Sequence, residues 1–438
     1  MLSPSPRTIV APLLLGALLF GNFCSPASNQ CNDSDPFCSL QGAFILGEVL
    51  SCTFDDTWRK IGSTTPNPDT ISAVFITAIL QDSDGAIYAA GGGTFLGNDA
   101  GIILKSTDGG ASWFSEFIHQ PSPGNPVLFT DMKMGPDGTI IALGNQNPDG
   151  TNDEAFLAIR PPLQSFSVTA TYERQDTFVT SALVGALSPE LSYFAAGIGS
   201  NGTPDDAMLL SSPAPYQSLS PVVLLDDSGG NNIHFTALAA PSASDIRLAG
   251  VATDNSAIYE AIIGVVGSGL YTETYRASFT CCVGDVSLHD PTDILVNGPS
   301  QYAMGITPGT STADLRAQVW SIDTATGSAG IFVLNPDLPG ATVRLQRHGN
   351  RTVAVSRIIT VAAPTGTPQV DISKDGGATF FRSMNPDTDG LIFNDAFDSS
   401  IQQSGTYSLN DASLLMPVSV DASVDGTTPV FFYQLPCY

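Results

Sequence analysis

Along most of the chain, short apolar runs rich in β-branched and aromatic residues alternate with clusters of Gly, Pro, Asp and Ser. Such punctuation predicts short strands joined by tight turns. In the first full unit, residues 75–81 form an apolar run and Asp82-Ser83-Asp84-Gly85 makes a hairpin turn. Residues 86–91 are the second strand and 92–98 a loop. Residues 102–105 and 113–118 are the third and fourth strands, around a second turn. The next unit repeats this with 129–134, the turn Gly135-Pro136-Asp137-Gly138, and 139–144. The Asp-Gly turns supply the positive φ that a two-residue hairpin requires.

The units recur at a fixed spacing. An apolar strand ending in glycine returns at Gly91, Gly144, Gly197, Gly250 and Gly305, spaced 53, 53, 53 and 55 residues apart. Ala354-Val355-Ser356 continues the series with serine. An acidic-Ala step opens the following strand at Asp99-Ala100, Glu154-Ala155, Asp206-Ala207 and Glu260-Ala261, returning at Asp411-Ala412. Later units begin near Thr180, Phe235, Thr292, Val343 and Ile392, the last taking 393–398 and 406–410 as its first two strands. Four strands in a unit of about 40–55 residues describe the blade of a β-propeller. The expected fold is all-β, a single propeller with seven blades, six or eight being the alternatives. Residues 48–62 read as a lone hairpin and 411–435 as a terminal strand pair. We therefore expect the N-terminal hairpin to close the ring beside the last blade, with the propeller spanning 45–438.

Two turns share one detailed motif, Ser106-Thr107-Asp108-Gly109-Gly110-Ala111-Ser112-Trp113 and Ser373-Lys374-Asp375-Gly376-Gly377-Ala378-Thr379-Phe380. The motif resembles the Asp-box, or bacterial neuraminidase repeat, of sialidase-like β-propellers. The resemblance implies a structural role: Ser106, Asp108, Gly110, Trp113, Ser373, Asp375, Gly377 and Phe380 would latch hairpins on the face opposite the ligand site. A sialidase of that family also needs an Arg-Ile-Pro motif, three arginines, a Tyr–Glu pair and an Asp acid. The nearest string, Ile159-Arg160-Pro161-Pro162, follows the first box and departs from the motif. Arg174, Arg247, Arg276, Arg344 and Arg357 match no triad by sequence.

Composition changes the picture in two respects. Only 13% of residues are charged, and the net charge is −26, which repels nucleic acid and anionic membranes. The N-terminus carries one charge, Arg7, before the apolar run 9–20, a signal-peptide pattern too short to span a bilayer. Cleavage after Ala27 is expected, followed by a Cys-bearing lead at 28–44; lipidation at Cys24 is the rival and the one expected route to a membrane. Six cysteines remain: Cys31, Cys38, Cys52, Cys281, Cys282 and Cys437. An even set in an exported protein points to disulfides. Cys31–Cys38 and Cys52–Cys437 are the expected pairs, with Cys281 and Cys282 bridged to each other or reduced.

The acidic-Ala steps place Asp99, Glu154, Asp206, Glu260 and Asp411 on one rim, opposite the Asp-boxes, as candidates for a ligand surface. Asn385, Asp387 and Asp389 precede Gly390 at alternate positions, as oxygen ligands of calcium do, although Ala396 stands where such a loop wants Glu. No other cofactor is expected. His119, His234, His289 and His348 read as isolated. The preferred function on these grounds is a monomeric, exported, non-catalytic propeller that binds a protein or glycan at the cell envelope or outside the cell. A glycoside hydrolase with a sialidase-like fold is the alternative. An envelope or photosystem-type assembly factor is a further one.

Overall fold

A computed structural model describes residues 59–64, 71–148, 152–173, 179–200, 205–225, 232–253, 259–279, 291–309, 314–348, 351–358, 367–382, 408–409, 414–419 and 430–434. All lie in one compact unit, 55–436. The leader, the Cys-bearing lead, Cys24, the other six cysteines, Asn385, Asp387, Asp389 and Asp411 fall outside the described residues, and of Asp206 the backbone alone is described.

The described residues form strands and turns without a helix. The N-terminal strand is β1 (Arg59–Thr64). Blade 1 is β2 (Ile71–Gln81), β3 (Ile87–Phe95), β4 (Asn98–Ser106) and β5 (Phe114–His119). Blade 2 is β6 (Val127–Met134), β7 (Ile140–Gln146), β8 (Glu154–Arg160) and β9 (Ser167–Tyr172). Blade 3 is β10 (Val179–Leu187), β11 (Ser192–Ser200), β12 (Asp205–Pro213) and β13 (Ser220–Leu225). Blade 4 is β14 (Asn232–Ser242), β15 (Asp245–Thr253), β16 (Tyr259–Gly267) and β17 (Leu270–Ser278). Blade 5 is β18 (Asp293–Val296), β19 (Gln301–Ile306), β20 (Gln318–Asp323) and β21 (Ser328–Val333). Blade 6 is β22 (Gly340–His348), β23 (Arg351–Ile358), β24 (Thr367–Ser373) and β25 (Phe381–Arg382). The remaining strands are β26 (Ser408–Leu409), β27 (Leu414–Ser419) and β28 (Val430–Gln434).

These make seven antiparallel four-stranded sheets. The first strand of each sheet touches that of the next, from β2 through β6, β10, β14, β18 and β22 to β26, and β26 touches β2 again. The sheets therefore close a ring, the β-propeller expected. Closure uses both chain ends: the seventh sheet runs β26-β27-β28-β1. This corrects the strand assignment at the C-terminus. Residues 408–409 form the first strand of the last blade rather than its second, β27 and β28 supply the second and third, and the expected strand 393–398 lies outside the described residues. The N-terminal strand β1 then completes the fourth position against β28. The first unit also differs: the expected loop 92–98 is mostly strand, with a tight turn at Leu96 and Gly97, both at positive φ.

Inner strands are buried on both faces, as in β3 and β7, whereas outer strands such as β5 and β13 are partly exposed. Alternate residues of one strand enter different cores. Tyr88 and Ala90 pack with Phe129 and Phe156 of blade 2, while Ile87 and Ala89 lie in a separate cluster with Ile102 and Leu104. The sparse charge of the chain follows from this double burial.

The repeating glycine has a local cause. Gly91, Gly144, Gly197 and Gly250 pair with Ile76, Phe129, Ala182 and Phe235, and the first strand bulges immediately after each of these partners. The bulge pushes backbone towards the glycine. A Cβ on Gly144 would lie 2.7 Å from the Leu128 carbonyl oxygen, and one on Gly250 1.8 Å from that of His234.

At these bulges the blades are also tied together. Thr77 Oγ1 donates to the Phe129 carbonyl (2.6 Å) and Thr236 Oγ1 to that of Pro291 (2.5 Å). Asp131 Oδ2 accepts from the Gly185 amide (2.7 Å), and Asp293 Oδ2 from the Leu345 amide (2.8 Å). These bonds join residues 52–55 apart, so the sequence period reappears as a physical link between neighbours.

Candidate active site

Antiparallel order puts the turns after the first and third strands of each blade on one face. The turns after the second strand and the links between blades lie on the other. Both Asp-boxes sit on the first face and have the same geometry. Asp108 Oδ1 accepts from Ser106 Oγ (2.8 Å) and the Ser112 amide (2.9 Å), and Oδ2 accepts from Ser112 Oγ (2.5 Å). Asp375 repeats this with Ser373 Oγ (2.7 Å), the Thr379 amide (2.9 Å) and Thr379 Oγ1 (2.5 Å). Ser106 and Ser373 in turn accept from the amides of Gly110 and Gly377, each at 2.8 Å. Gly109, Gly110, Gly376 and Gly377 all have positive φ. Trp113 and Phe380 pack onto the cores of their blades. The hydroxyl and amide donors hold Asp108 and Asp375 down at about 2, with the Ser112 and Thr379 hydroxyls the largest cause. The donors of both boxes come from within the turns themselves, so these are latches.

On the opposite face, the acidic-Ala residues are not all equivalent. Gly91, Gly144, Gly197 and Gly250 pair with Ile102, Phe156, Met208 and Ile262. Stepping back two residues from these partners gives Ala100, Glu154, Asp206 and Glu260. Asp99 is one residue out of step, so its side chain leaves the other face of its strand. It is exposed, while Ala100 is buried. Glu260 is engaged with Arg276 of the outer strand β17, which also pairs with Glu273 (2.7 Å).

Glu154 has a different setting. Its Oε1 accepts from Gln146 Nε2 at 2.5 Å, its direct partner across β7 and β8. The Gln146 amide oxygen meets Nε2 of His119, at the end of the neighbouring blade's β5. The His119 ring lies 6.1 Å from Phe117, nearly parallel to it, and 4.8 Å from Phe156. Burial lowers the His119 pKa, opposed by Gln146 and by the Glu154 charge. Beside them Asn147 Nδ2 donates to Asp153 Oδ1 (3.1 Å), and burial raises the Asp153 carboxyl. Asn152 Nδ2 reaches Glu173 Oε1 at 2.9 Å. One strip of strand ends thus carries a histidine kept neutral and a carboxyl biased towards its proton, a combination suited to proton transfer. His119 is not isolated. Its partners lie 27 and 35 residues on and reach it because consecutive blades dock; the signal available was that a link between blades shares this face with Glu154.

The described arginines do not converge. Arg247 pairs with Asp245 (2.6 Å) and donates to the Tyr302 hydroxyl (2.6 Å), next to a turn on the Asp-box face. Arg276 serves the outer strand of blade 4, and Arg344 donates to the Thr292 carbonyl. A cavity of about 570 Å³ among the inner strands of blades 2 to 6 is lined by Asp131, Lys133, Asp293 and Arg344. Its carboxylates already hold backbone: Asp131 accepts from the Met132 and Gly185 amides and from Lys133, and Asp293 from the Ile294 and Leu345 amides. Its polar groups fasten blades.

No protein-family model matches the chain, and no curated protein matches it. Solved structures do. The polysaccharide lyase Uly1 superposes with a TM-score of 0.54 at 10% identity, over 83% of this chain and 90% of that one. An ulvan lyase of the polysaccharide lyase group PL25 gives 0.54 at 9% identity, over 86% and 96%. A Trypanosoma rangeli sialidase gives 0.44 at 9% identity, over 84% and 54%. With the Asp-box geometry, the chain has the fold of the sialidase-like Asp-box β-propellers. The preference for a non-catalytic scaffold is overturned by the first two likenesses, because both of those propellers are polysaccharide lyases.

Proposed function

We propose that this chain is a glycan-cleaving enzyme, reading hydrolysis of a glycosidic bond as its reaction and the face opposite the Asp-boxes as its site. The observation that carries the reading is that two hydrogen-bonded sets, His119–Gln146–Glu154 and Asn147–Asp153, leave adjacent strand-end positions on that face. Glycoside cleavage needs one group that keeps its proton and another that takes one. Asp153, its carboxyl raised by burial, suits donation to the leaving oxygen. His119, its imidazole kept neutral by burial, suits acceptance of a proton from the attacking water.

A second reading is β-elimination, favoured by the same neutral imidazole, which would instead take the proton beside a uronate carboxylate. The likeness to polysaccharide lyases supports it. The export pattern at 1–27 fits an enzyme meeting polysaccharide outside the cell.

A panel of neutral and uronate-containing polysaccharides tests the proposal. Hydrolysis releases reducing ends alone, and elimination adds ultraviolet-absorbing unsaturated ends. Asp153→Asn is expected to lower the rate about 10²–10⁴-fold, the usual worth of a general acid. Absence of cleavage across the panel, or full activity in both Asp153→Asn and His119→Gln, overturns it.

A further inference from the structure

The bonds around His119 have a direction. A carboxylate only accepts, so Gln146 must present its NH₂ to Glu154, as the 2.5 Å contact from Nε2 shows. That leaves the amide oxygen facing His119. An amide oxygen also only accepts. The proton of a neutral imidazole must then sit on Nε2 and the lone pair on Nδ1. Gln146 is buried, so its amide does not turn freely to water. Phe117 and Phe156 flank the ring. Nδ1 has no hydrogen-bond partner among the described residues.

We propose that Gln146 and Glu154 are positioning residues that fix the tautomer of His119, reserving its Nδ1 lone pair for a ligand that donates a hydrogen bond. The ligand class is a polyhydroxylated one, a sugar hydroxyl or the water attacking beside it. The use of that nitrogen in catalysis rests on the function proposed above; the tautomer itself does not. A core histidine that merely needed a partner would be satisfied through either nitrogen. Here a charge two bonds away selects which one. The link joins two blades, from β5 to β7 and across the ladder to β8, so the docking of blade 1 on blade 2 sets it.

Two-bond ¹H–¹⁵N correlation spectra of the full chain, with ¹⁵N-labelled histidine, read the tautomer directly. His119→Gln assigns the resonance. The wild type is expected to show His119 protonated on Nε2 alone. Glu154→Gln keeps the shape but makes residues 146 and 154 both amides, so the network can run either way. That variant is expected to shift from one tautomer to comparable populations of two. Glu154→Ala, which removes the acceptor, is expected to lose the single tautomer as well. A wild-type proton on Nδ1, or an unchanged tautomer in both variants, overturns the proposal. A fixed wild-type tautomer that both variants lose, in a protein that cleaves no polysaccharide, would sink the enzymatic reading while leaving this one standing.

Discussion

Replacing Gly144 with alanine tests the connection between the repeat and the site. The added Cβ would lie 2.5 Å from Cε1 and Cζ of Phe156 and 2.7 Å from the Leu128 carbonyl oxygen. Neither neighbour has room to yield. Leu128 belongs to the β6–β7 ladder, and Phe156 is fully buried, 5.2 Å from Phe129 and 4.8 Å from His119. Overpacking of this kind costs about 1–3 kcal/mol, and contacts on two sides place it near the upper end, about 3 kcal/mol. Lower entropy of the unfolded chain returns about 0.4–1 kcal/mol. The net loss is about 2 kcal/mol. Urea unfolding, with the midpoint compared at constant slope, measures it. Gly267→Ala is the control, since nothing lies within 4 Å of its added Cβ. Gly144→Ala should fall below that control, and the ring pushed at Phe156 should move the His119 resonances. Equal midpoints for the two variants would refute the argument that the bulge demands glycine.

Other expectations follow from the same bonds. Asp131→Ala removes the acceptor of two backbone amides in a buried setting, at about 1–3 kcal/mol for each orphaned donor; urea midpoints should show a larger loss than for Asp131→Asn, which keeps one carbonyl oxygen. Asp108 and Asp375 sit at about 2 in the folded protein, below their unfolded values. Their contribution is therefore complete above about pH 4 and lost as pH falls towards about 2. Asp108→Asn should flatten the fall in stability across that window, and an unchanged slope would count against the latch. His119 has a lowered folded pKa, so an NMR titration should place it below the ordinary value of about 6.5. Protonation then favours unfolding. Stability should decline as pH drops below that value and decline less in His119→Gln.

The amino-acid sequence by itself determined the blade. Its alternation of apolar runs and turns, its period near 53 residues and its two Asp-boxes are local properties, written in hydrophobicity and in the φ that Asp-Gly turns need. Those properties carried the fold through to seven sheets. They did not carry the register: one shifted residue at the β3–β4 turn of blade 1 moved Asp99 out of line with Glu154, because strand side chains alternate with a period of two. Nor did they carry the site. His119 and Glu154 belong to different blades and meet through the buried amide of Gln146. Ring closure was likewise a tertiary matter, since β1 finds its partner at β28, at the far end of the chain. A repeating sequence specifies each blade on its own, whereas the contacts that set a proton's place arise only where one blade's edge is pressed against the next.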